Sequence, residues 1–266
     1  MSNEREHSSP AADDTGVVLT RVDGVATLTF NRPERKNALT AEMLGELHAH
    51  LDTLMGDDTT RVVVVTGVGN AFSAGADMSA TPTNTRGALT IMSDAVRRLY
   101  HLPIPTIAAV NGPAMGLGAS LALACDLVLA ARSARFGQTF ALRGLSLDGG
   151  ASWQLPRIVG TQRAKRMAFF GEVVDSDDAL EMGLCAEVVE DSDLATTSDE
   201  WATRIADGAP VALRHIKALI DAAASLSFDQ SVERELEAQL DCFSTEDFKE
   251  GFRAFLKKRS PNFKGR

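Results

Sequence analysis

One stretch, from Asn111 to Asp126, limits the possible folds of this chain more than any other. An apolar, strand-like run from Ile104 to Val110 leads into a turn broken by glycine, and the turn opens into a helix that is apolar on nearly every face. A helix without a polar face must be buried in the protein. Its first turn contains Gly116 and Gly118, so a ligand could approach backbone N–H groups that have no helical acceptor. The stretch therefore predicts a buried strand–turn–helix unit whose helix N-terminus can bind negative charge.

Length and charge narrow the class of protein. With 266 residues, of which 44% are hydrophobic, the chain is long enough for one large α/β domain or two small ones. The net charge of −9 and the isoelectric point near 5.1 argue against broad electrostatic binding to nucleic acid or to an anionic membrane. We therefore expect a folded protein that holds any anionic ligand locally, with no nucleic acid and no membrane as partner.

The cysteines and the N-terminal residues indicate in which cellular compartment the protein is expected. Cys125, Cys185 and Cys242 are far apart in sequence and lie in apolar or helical contexts, which favours reduced thiols and a cytoplasmic protein. No cysteine or histidine pair has metal-ligand spacing, so we expect no metal. Residues 1–15 are polar and lack a hydrophobic segment, which predicts a disordered tail rather than a signal peptide or membrane anchor.

The first part of the chain alternates strand and helix patterns. Alternating apolar residues from Val17 to Asn31, broken by Asp23-Gly24, predict a β-hairpin. The four valines from Val62 to Val65 predict a strand buried on both faces, as parallel strands usually are. Between these segments Thr40 is expected to cap an amphipathic helix whose buried face consists of Met43, Leu44, Leu47, Leu51 and Leu54.

A second loop that contains glycine, Ala71–Met78, follows the buried strand. Open α/β sheets bind ligands at the carboxyl ends of their strands, so this loop is a second candidate site. The two glycine loops could each offer one N–H to a shared anion. Alternatively, their glycines only permit tight turns and close packing. The polar segment from Thr81 to Arg86 is expected to be mobile and to border the pocket, before a helix from about Leu89 to His101.

The composition changes near Ser192. A strand over Asp126–Ala131 and a last short strand over Cys185–Glu190 complete an α/β core that we expect to comprise residues 16–191. Residues 192–266 are expected to be a helical section. Its predicted helices are Leu194–Asp207, Pro210–Ala224, Phe228–Leu240 and Asp247–Lys258.

Several ordered motifs together resemble a known family. They are Asn31-Arg32-Pro33 with Asn37-Ala38-Leu39, then Ala71–Asp77, then Asn111–Asp126, and finally Glu250–Phe263. In these motifs the chain is similar to the crotonase superfamily, the enoyl-CoA hydratase/isomerases, over almost all of its length. The resemblance implies a spiral of ββα units that binds an acyl-coenzyme A thioester, with no cofactor beyond the coenzyme A of the substrate. It also implies that the C-terminal helices support a homotrimer or a dimer of trimers.

The resemblance assigns two backbone amides to an oxyanion hole, those of Ala76 and Leu117. Two fixed N–H donors stabilise the negative charge that an enolate places on the thioester oxygen, and one such donor is worth about 2.7–4 kcal/mol. Further contacts to substrate or coenzyme A are implied at Ala76 itself and at Arg35, Lys36, Ala38, Ala74, Asp77, Met78, Gly116, Phe140, Phe255 and Lys258. Arg35 and Lys36 could instead belong to a solvated loop, and Phe255 and Lys258 to an amphipathic helix with an exposed cationic edge.

Two positions separate this chain from typical hydratases of the family. The resemblance implies hydratase glutamates at the positions of Ser120 and Phe140, and neither of these side chains can transfer protons. Asp148 matches the position of an aspartate that moves protons in crotonase isomerases, among them the ring-oxepin-forming branch of phenylacetate catabolism. A single carboxylate is sufficient for a 1,3-proton shift. Alternatively, Asp148 is only a turn residue, because Asp-Gly is a common turn dipeptide.

These observations predict an acyl-CoA isomerase that shifts a double bond or opens a strained acyl-CoA through Asp148 and the two amides. Two alternatives stay open, an enoyl-CoA hydratase in which other groups replace the glutamates and a pseudoenzyme that binds acyl-CoA without productive chemistry. If Asp148 faces an apolar acyl pocket, loss of solvent should raise its pKa. Ser120 is expected to be a packing residue, Asp126 a structural residue and Trp153 a core residue.

Overall fold

The predicted hairpin forms the edge of the main sheet. A computed structural model describes residues 16–80 and 86–266, so the expected tail at 1–15 and the expected mobile segment, apart from Arg86, lie outside the described residues. Strands β1 (Gly16–Val22) and β2 (Val25–Asn31) pair antiparallel. The turn residues Asp23 and Gly24 have φ angles of 49° and 81°. Positive φ at both turn residues is the geometry that favours two-residue hairpins.

Six strands form the main sheet, in the order β1-β2-β3-β4-β6-β9. Apart from the β1–β2 pair, its neighbouring strands are parallel. The four that follow the hairpin are β3 (Val62–Gly67), β4 (Thr106–Val110), β6 (Leu127–Ala131) and β9 (Glu187–Val189). Alternate residues of β3 point to opposite faces, with Val63 and Val65 in the large core and Val62 and Val64 in a smaller one. The strand is therefore buried on both faces, as its four valines predict.

Helix α1 (Ala41–Met55) covers the larger core. The Thr40 hydroxyl accepts a hydrogen bond from the Met43 N–H, so the predicted N-cap is confirmed. The buried residues of this helix are the five predicted ones, Met43, Leu44, Leu47, Leu51 and Leu54. Helix α2 (Arg86–Tyr100) packs beside α1 and starts three residues before the predicted Leu89, because its first turn is polar and carries no apolar period.

The stretch from Ile104 to Asp126 folds as strand, turn and buried helix. Strand β4 leads through the short strand β5 (Pro113–Met115) into α3 (Leu117–Leu123), and every residue of α3 is buried. Strand β5 belongs to a second sheet, in the order β5-β7-β8, with β7 (Arg135–Gly137) and β8 (Val173–Asp175). At the positions of β5 and β7 the sequence indicates only a turn and a connection. A three-residue strand is too short to carry a readable alternation.

Helices make up most of the chain after Gly150. They are α4 (Ala151–Val159), α5 (Thr161–Phe170), α6 (Ser176–Met182), α7 (Leu194–Ala206), α8 (Pro210–Ala223), α9 (Phe228–Phe243) and α10 (Glu246–Leu256). Leu194 and Ala202 of α7 pack in the smaller core against the second face of the sheet. The division of the chain at residue 192 stays a prediction. In the described ranges, every helix falls short of the length and apolar character that crossing a membrane requires.

The cysteines and Asp126 occupy structural positions. All three cysteines are free thiols, and burial raises the pKa of Cys125 to about 12 and that of Cys185 to about 11. The Asp126 carboxylate accepts hydrogen bonds from the N–H and hydroxyl of Thr106, at 2.7 and 3.0 Å. It also pairs at 2.9 Å with the Lys217 ammonium of α8. The expected structural role of Asp126 is therefore confirmed.

Candidate active site

Asn37 ties two loops together at the carboxyl ends of the parallel strands. Its side-chain amide donates to the carbonyls of Val68 and Ala71, at 3.0 and 2.7 Å. Its amide oxygen accepts from the Arg32 N–H, and its backbone carbonyl accepts from the Ser73 hydroxyl. Asn37 is fully buried and has a φ of 54°, a left-handed conformation that asparagine tolerates better than most residues. This residue therefore fixes the loop that leads to Ala76.

The Ala76 N–H is directed away from the chain that flanks it. Leu39 donates its N–H to the Gly75 carbonyl at 2.8 Å, and its carbonyl accepts from the Asp77 N–H at 2.9 Å. In such a parallel bridge the residue between the two bonded neighbours turns its own N–H to the opposite side. Among the residues that the structure describes, none accepts a hydrogen bond from the Ala76 N–H. The donor is therefore available to a ligand.

The Leu117 N–H is the second available donor. Leu117 is the first residue of α3, and its N–H has no acceptor within residues 16–80 and 86–266. The preceding Gly116 has φ 52° and ψ −117°, a conformation open essentially to glycine, and donates to the Gly137 carbonyl at 2.8 Å. The turn thus directs the first amide of a buried helix away from the neighbouring strands.

Gly75 allows the two donors to share one cavity. A Cβ on Gly75 would lie 3.5 Å from the Leu117 nitrogen and only 2.6 Å from the Met115 oxygen, so any side chain there would push the two loops apart. Both donors belong to a cavity of about 310 Å³, which we call the amide cavity. Its lining residues are Ala74, Gly75, Ala76, Met78, Met115, Gly116, Leu117, Thr139, Phe140, Arg143 and Leu145.

Six of the residues implied by the resemblance line the amide cavity, and the other seven, Asp148 among them, do not. Arg35 and Lys36 are exposed on the neighbouring loop, and Ala38 is half-buried there. The Lys36 carbonyl accepts from the Ala74 N–H at 2.8 Å, which joins that loop to the cavity wall. Phe255 and Lys258 lie at the end of α10, outside the amide cavity, and Phe255 is 79% exposed. Their proposed contact with a ligand stays a prediction.

The Asp77 carboxylate is occupied by contacts within the chain. It pairs with Arg32 and accepts hydrogen bonds from the Ser79 N–H and hydroxyl, at 2.8 and 2.6 Å. The Ser79 hydroxyl and the Arg32 guanidinium hold the pKa of Asp77 well below its usual range. The side chain therefore stabilises the loop, and the substrate contact implied for this residue stays a prediction.

The two positions that would hold hydratase glutamates are filled by groups that do not titrate. Ser120 is fully buried, and its hydroxyl donates to the Gly116 carbonyl at 3.3 Å, so the expected packing role is confirmed. The Phe140 ring lies over Gly116, with Cζ 3.4 Å from the position that a Cβ there would take. Neither position therefore offers a titratable group where the resemblance implies hydratase glutamates.

Asp148 precedes a glycine that packs against α3, the helix that begins at Leu117. The next residue, Gly149, lies against the first turn of α3, because a Cβ on it would be 3.1 Å from Ser120 Cβ and 3.2 Å from Leu117 Cδ1. The Asp148 carbonyl accepts from the Ala151 N–H at 3.0 Å, so its backbone does form the predicted turn. Its side chain makes no turn contact, since Oδ1 is buried and has no hydrogen-bond partner among the described residues. Burial raises the pKa of this carboxyl to about 6.

The carboxylate belongs to a segment that two cavities share. Leu145 lines the amide cavity, whereas Gly149 and Gly150 line a second cavity of about 530 Å³ between α2 and α4. We call the second one the α2–α4 cavity. Residues 145–150, which include Asp148, therefore run from the wall of one cavity to the wall of the other.

Comparison with known proteins identifies the family. Residues 20–266 match the family model described as enoyl-CoA hydratase/isomerase. The chain belongs to the enoyl-CoA hydratase/isomerase family. It is 39% identical to the 1,2-epoxyphenylacetyl-CoA isomerase of Escherichia coli (strain K12), over 94% of this chain and 98% of the relative. It is 38% identical to the short-chain-enoyl-CoA hydratase of Clostridium acetobutylicum, over the same two shares.

The fold agrees with this family. The crystal structure of an enoyl-CoA hydratase from Bacillus anthracis superimposes with a TM-score of 0.91 at 32% identity, over 95% of this chain and all of the other. The predicted crotonase-type α/β fold is therefore confirmed. Because relatives at almost equal identity are named isomerase and hydratase, membership of the enoyl-CoA hydratase/isomerase family does not by itself select one reaction.

Three side chains of this family member line cavities, and no sequence motif predicts that position for them. Trp153 was expected in the core, and this was wrong: it is 42% exposed and lines the α2–α4 cavity. Gln154 lines the same cavity, and Arg143 lines the amide cavity while donating to the Thr139 carbonyl and hydroxyl. The only signal was their short distance in sequence from Phe140 and Asp148, because the opposite walls come from distant segments.

Proposed function

We propose that this family member is an acyl-CoA isomerase that moves a carbon–carbon double bond by a 1,3-proton shift. The observation that carries the proposal is the Asp148 carboxylate, which is partly buried, has an unpartnered oxygen and has a pKa raised to about 6. A carboxylate that is short of solvent and of hydrogen bonds is a stronger base than a solvated one.

The proposed reaction uses the two amides and the one carboxylate. The thioester oxygen of a 3-enoyl-CoA accepts hydrogen bonds from the Ala76 and Leu117 N–H groups. Asp148 removes a proton from the α-carbon, and the electrons of that C–H bond form a dienolate whose charge is stabilised on the thioester oxygen. The protonated Asp148 then returns the proton to the γ-carbon, which gives the 2-enoyl-CoA. Rearrangement of a strained acyl-CoA through the same enolate belongs to the same proposal.

The pKa of Asp148 suits both halves of this cycle. A group with a pKa near 6 is mostly ionised at neutral pH, so it is ready to accept the first proton. Its conjugate acid is nevertheless strong enough to give the proton back, which is the balance that general acid–base catalysis requires.

Hydration is the less supported alternative. It needs one group to deprotonate water and another to supply a proton to the α-carbon, and Ser120 and Phe140 offer neither. The relatives include hydratases as well as an isomerase, so only a measurement of the reaction can separate the two functions.

The decisive experiment compares a 2-enoyl-CoA with a 3-enoyl-CoA, for the wild type and for Asp148→Asn. We expect isomerisation of the 3-enoyl-CoA, lost in Asp148→Asn and retained in Asp58→Asn, an exposed aspartate in the loop after α1. Hydration of the 2-enoyl-CoA that Asp148→Asn leaves intact would contradict the proposal. Binding of both thioesters without turnover would instead support a pseudoenzyme.

We further propose a cytoplasmic homotrimer or dimer of trimers. The free cysteines fit a reducing compartment. Helices α9 and α10 expose large apolar side chains, which a single chain leaves in water at a cost that contact between subunits removes. They include Phe228, Leu236, Leu240, Phe243, Phe252, Phe255 and Leu256. Light scattering coupled to size-exclusion chromatography would test the assembly, and a monomer at working concentration would contradict it.

A further inference from the structure

Arg143 brings a positive charge to the amide cavity. The residue ends a short 3₁₀-helix that starts at Thr139, and Thr139 and Phe140 line the same cavity. The other lining residues are glycine, alanine, methionine and leucine. The cavity therefore offers two kinds of donor to an anionic oxygen, the neutral amides of Ala76 and Leu117 and the charged guanidinium.

Two hydrogen bonds fold the Arg143 side chain back along its helix. Its Nη1 atom donates to the Thr139 hydroxyl at 3.0 Å and to the Thr139 carbonyl at 3.2 Å. Because both residues line the cavity, a side chain that runs from one to the other keeps its guanidinium along that wall. Arg143 is also exposed, so a ligand in the cavity can reach it.

The charge of Arg143 has no acid to neutralise it in the part of the chain that the structure describes. Both of its acceptors are neutral oxygens, and its other guanidinium nitrogens donate to none of residues 16–80 and 86–266. Arg166, by contrast, pairs with Glu172 at 2.6 Å. A guanidinium presents a planar fork of N–H donors that matches a carboxylate. Arg143 therefore keeps donors available for a carboxylate of the ligand.

The proposed base does not take up this cation. Burial is the cause that raises the pKa of Asp148 to about 6, and no nearby cation opposes it. A guanidinium in contact with Asp148 would favour the ionised carboxylate and lower that pKa. Arg143 and Asp148 therefore act separately, so a ligand can bind the cation while the base stays free.

The size of the cavity indicates which part of a thioester Arg143 can meet. The phosphates of coenzyme A are separated from the thioester by the long, uncharged pantetheine arm. Arg143 shares one cavity of about 310 Å³ with the two amides, so an anion that reaches it must be attached close to the thioester. A carboxylate at the far end of a short acyl chain meets this condition.

We propose that this family member selects acyl-CoA thioesters that carry a second carboxylate at the end of a short acyl chain, and that Arg143 binds this carboxylate. The thioester oxygen lies at the amides of Ala76 and Leu117, and the far carboxylate accepts hydrogen bonds from the guanidinium. Arg143 is thus a specificity-determining residue. The inference deepens the proposed function and rests on it for the position of the thioester.

The test compares three substrates with the same six-carbon chain, namely 3-hexenedioyl-CoA, the methyl ester of its free carboxyl group, and 3-hexenoyl-CoA. For the wild type we expect kcat/KM for isomerisation to be about tenfold higher with 3-hexenedioyl-CoA than with either neutral thioester, because a hydrogen bond between charged groups is the stronger kind. Arg143→Gln should remove most of this ratio. Arg143→Lys keeps the charge and should retain part of it.

A second arginine and added salt are the controls. Arg204→Gln removes one positive charge from an exposed position on α7 and should leave the ratio unchanged. Salt screens exposed charges, so it should lower the ratio for the wild type and not for Arg143→Gln. If Arg143→Gln lowers kcat/KM equally for all three thioesters, the cation acts on the part that they share, and the inference is overturned.

Direct binding separates this inference from the proposed function. Calorimetry with hexanedioyl-CoA and hexanoyl-CoA, both saturated, measures selection without turnover, and Arg143→Gln should remove a preference for the former. If the wild type isomerises none of the three substrates but shows this preference, the proposed reaction is wrong and the role of Arg143 stands. If it isomerises 3-hexenoyl-CoA and binds the two saturated thioesters equally, the role of Arg143 is overturned and the proposed reaction stands.

Discussion

Asp148 has lost part of its solvation, and the proposed chemistry depends on that loss. Its backbone carbonyl accepts the Ala151 N–H at the start of α4, and Gly149 packs against α3, so contacts with two helices fix the backbone beside this carboxyl. An ordinary turn aspartate would bond its own backbone and keep a low pKa. The burial of this one raises its pKa, as the proposed role of a base requires.

The pKa of Asp148 predicts the pH dependence of the reaction. The group must be ionised to act as the base, so kcat/KM should be constant at neutral pH and fall about tenfold per unit once the pH drops below about 6. An unperturbed aspartate would delay this fall to about pH 4. Initial rates with a 3-enoyl-CoA across the acid-to-neutral range would measure it, and a flat profile down to the lower value would exclude Asp148 as the base.

The proposed oxyanion role of Leu117 depends only on its backbone N–H, and a proline can remove it. Proline suits the first position of a helix and has no N–H, so Leu117→Pro deletes one donor while α3 can still form. We expect kcat to fall about 10²–10³-fold. Leu117→Ala loses similar packing but keeps the donor, so it separates the two effects. Equal losses of kcat in the two variants would mean that the N–H does not act in the reaction.

Among the elements, long patterned segments could be predicted and short paired ones could not. The Asp23-Gly24 turn predicts the hairpin, and the spacing of five apolar residues predicts α1. Each signal lies within the element that it predicts. The second sheet joins β5, β7 and β8, which lie about twenty to forty residues apart and hold three residues each. Tertiary contacts determine the pairing of these strands, so no local sequence pattern predicts it.

The two loops that carry Ala76 and Leu117 can approach each other closely only because residue 75 is glycine. Gly75→Ala would place a Cβ 2.6 Å from the Met115 oxygen at a φ of 92°, so we expect a loss of about 2–4 kcal/mol in the free energy of unfolding and a large loss of activity. Gly45→Ala, where a Cβ meets nothing within 4 Å on α1, should instead stabilise the protein by about 0.5–1 kcal/mol. Urea unfolding of both variants would measure this, and equal stability would contradict the close approach of the loops.

On the scale of the whole molecule, the site joins segments that the sequence keeps far apart. The loop before Ala76, the start of α3 and the turn at Asp148 could be predicted because each belongs to a recognisable motif. The α2–α4 cavity could not, since it depends on how two helices separated by about fifty residues pack. The core prediction for Trp153 was wrong for the same reason. Its apolar side chain is typical of a core residue, and only the packing of the two helices places it in a cavity wall.

The pair of Lys217 and Asp126 should hold α8 on the core. The Lys217 side chain is only 8% exposed, and its ammonium also donates to the Ile104 carbonyl at 3.3 Å. Lys217→Met would leave Asp126 without its cation and should cost about 2–3 kcal/mol. Lys249→Met removes an exposed pair with Glu246 and should cost less than about 0.5 kcal/mol. Thermal unfolding of the two variants would check this, and equal melting temperatures would contradict the role of Lys217.

The same pair has a consequence for the time course of unfolding. Lys217 and Asp126 are 91 residues apart, so their contact closes a long loop and is expected to form after the local structure of β4, β6 and α8. A contact that is absent from the transition state acts on the rate of unfolding and hardly on the rate of folding. We therefore expect Lys217 to slow unfolding, so the lifetime of the native state depends on this residue more than the rate of folding does.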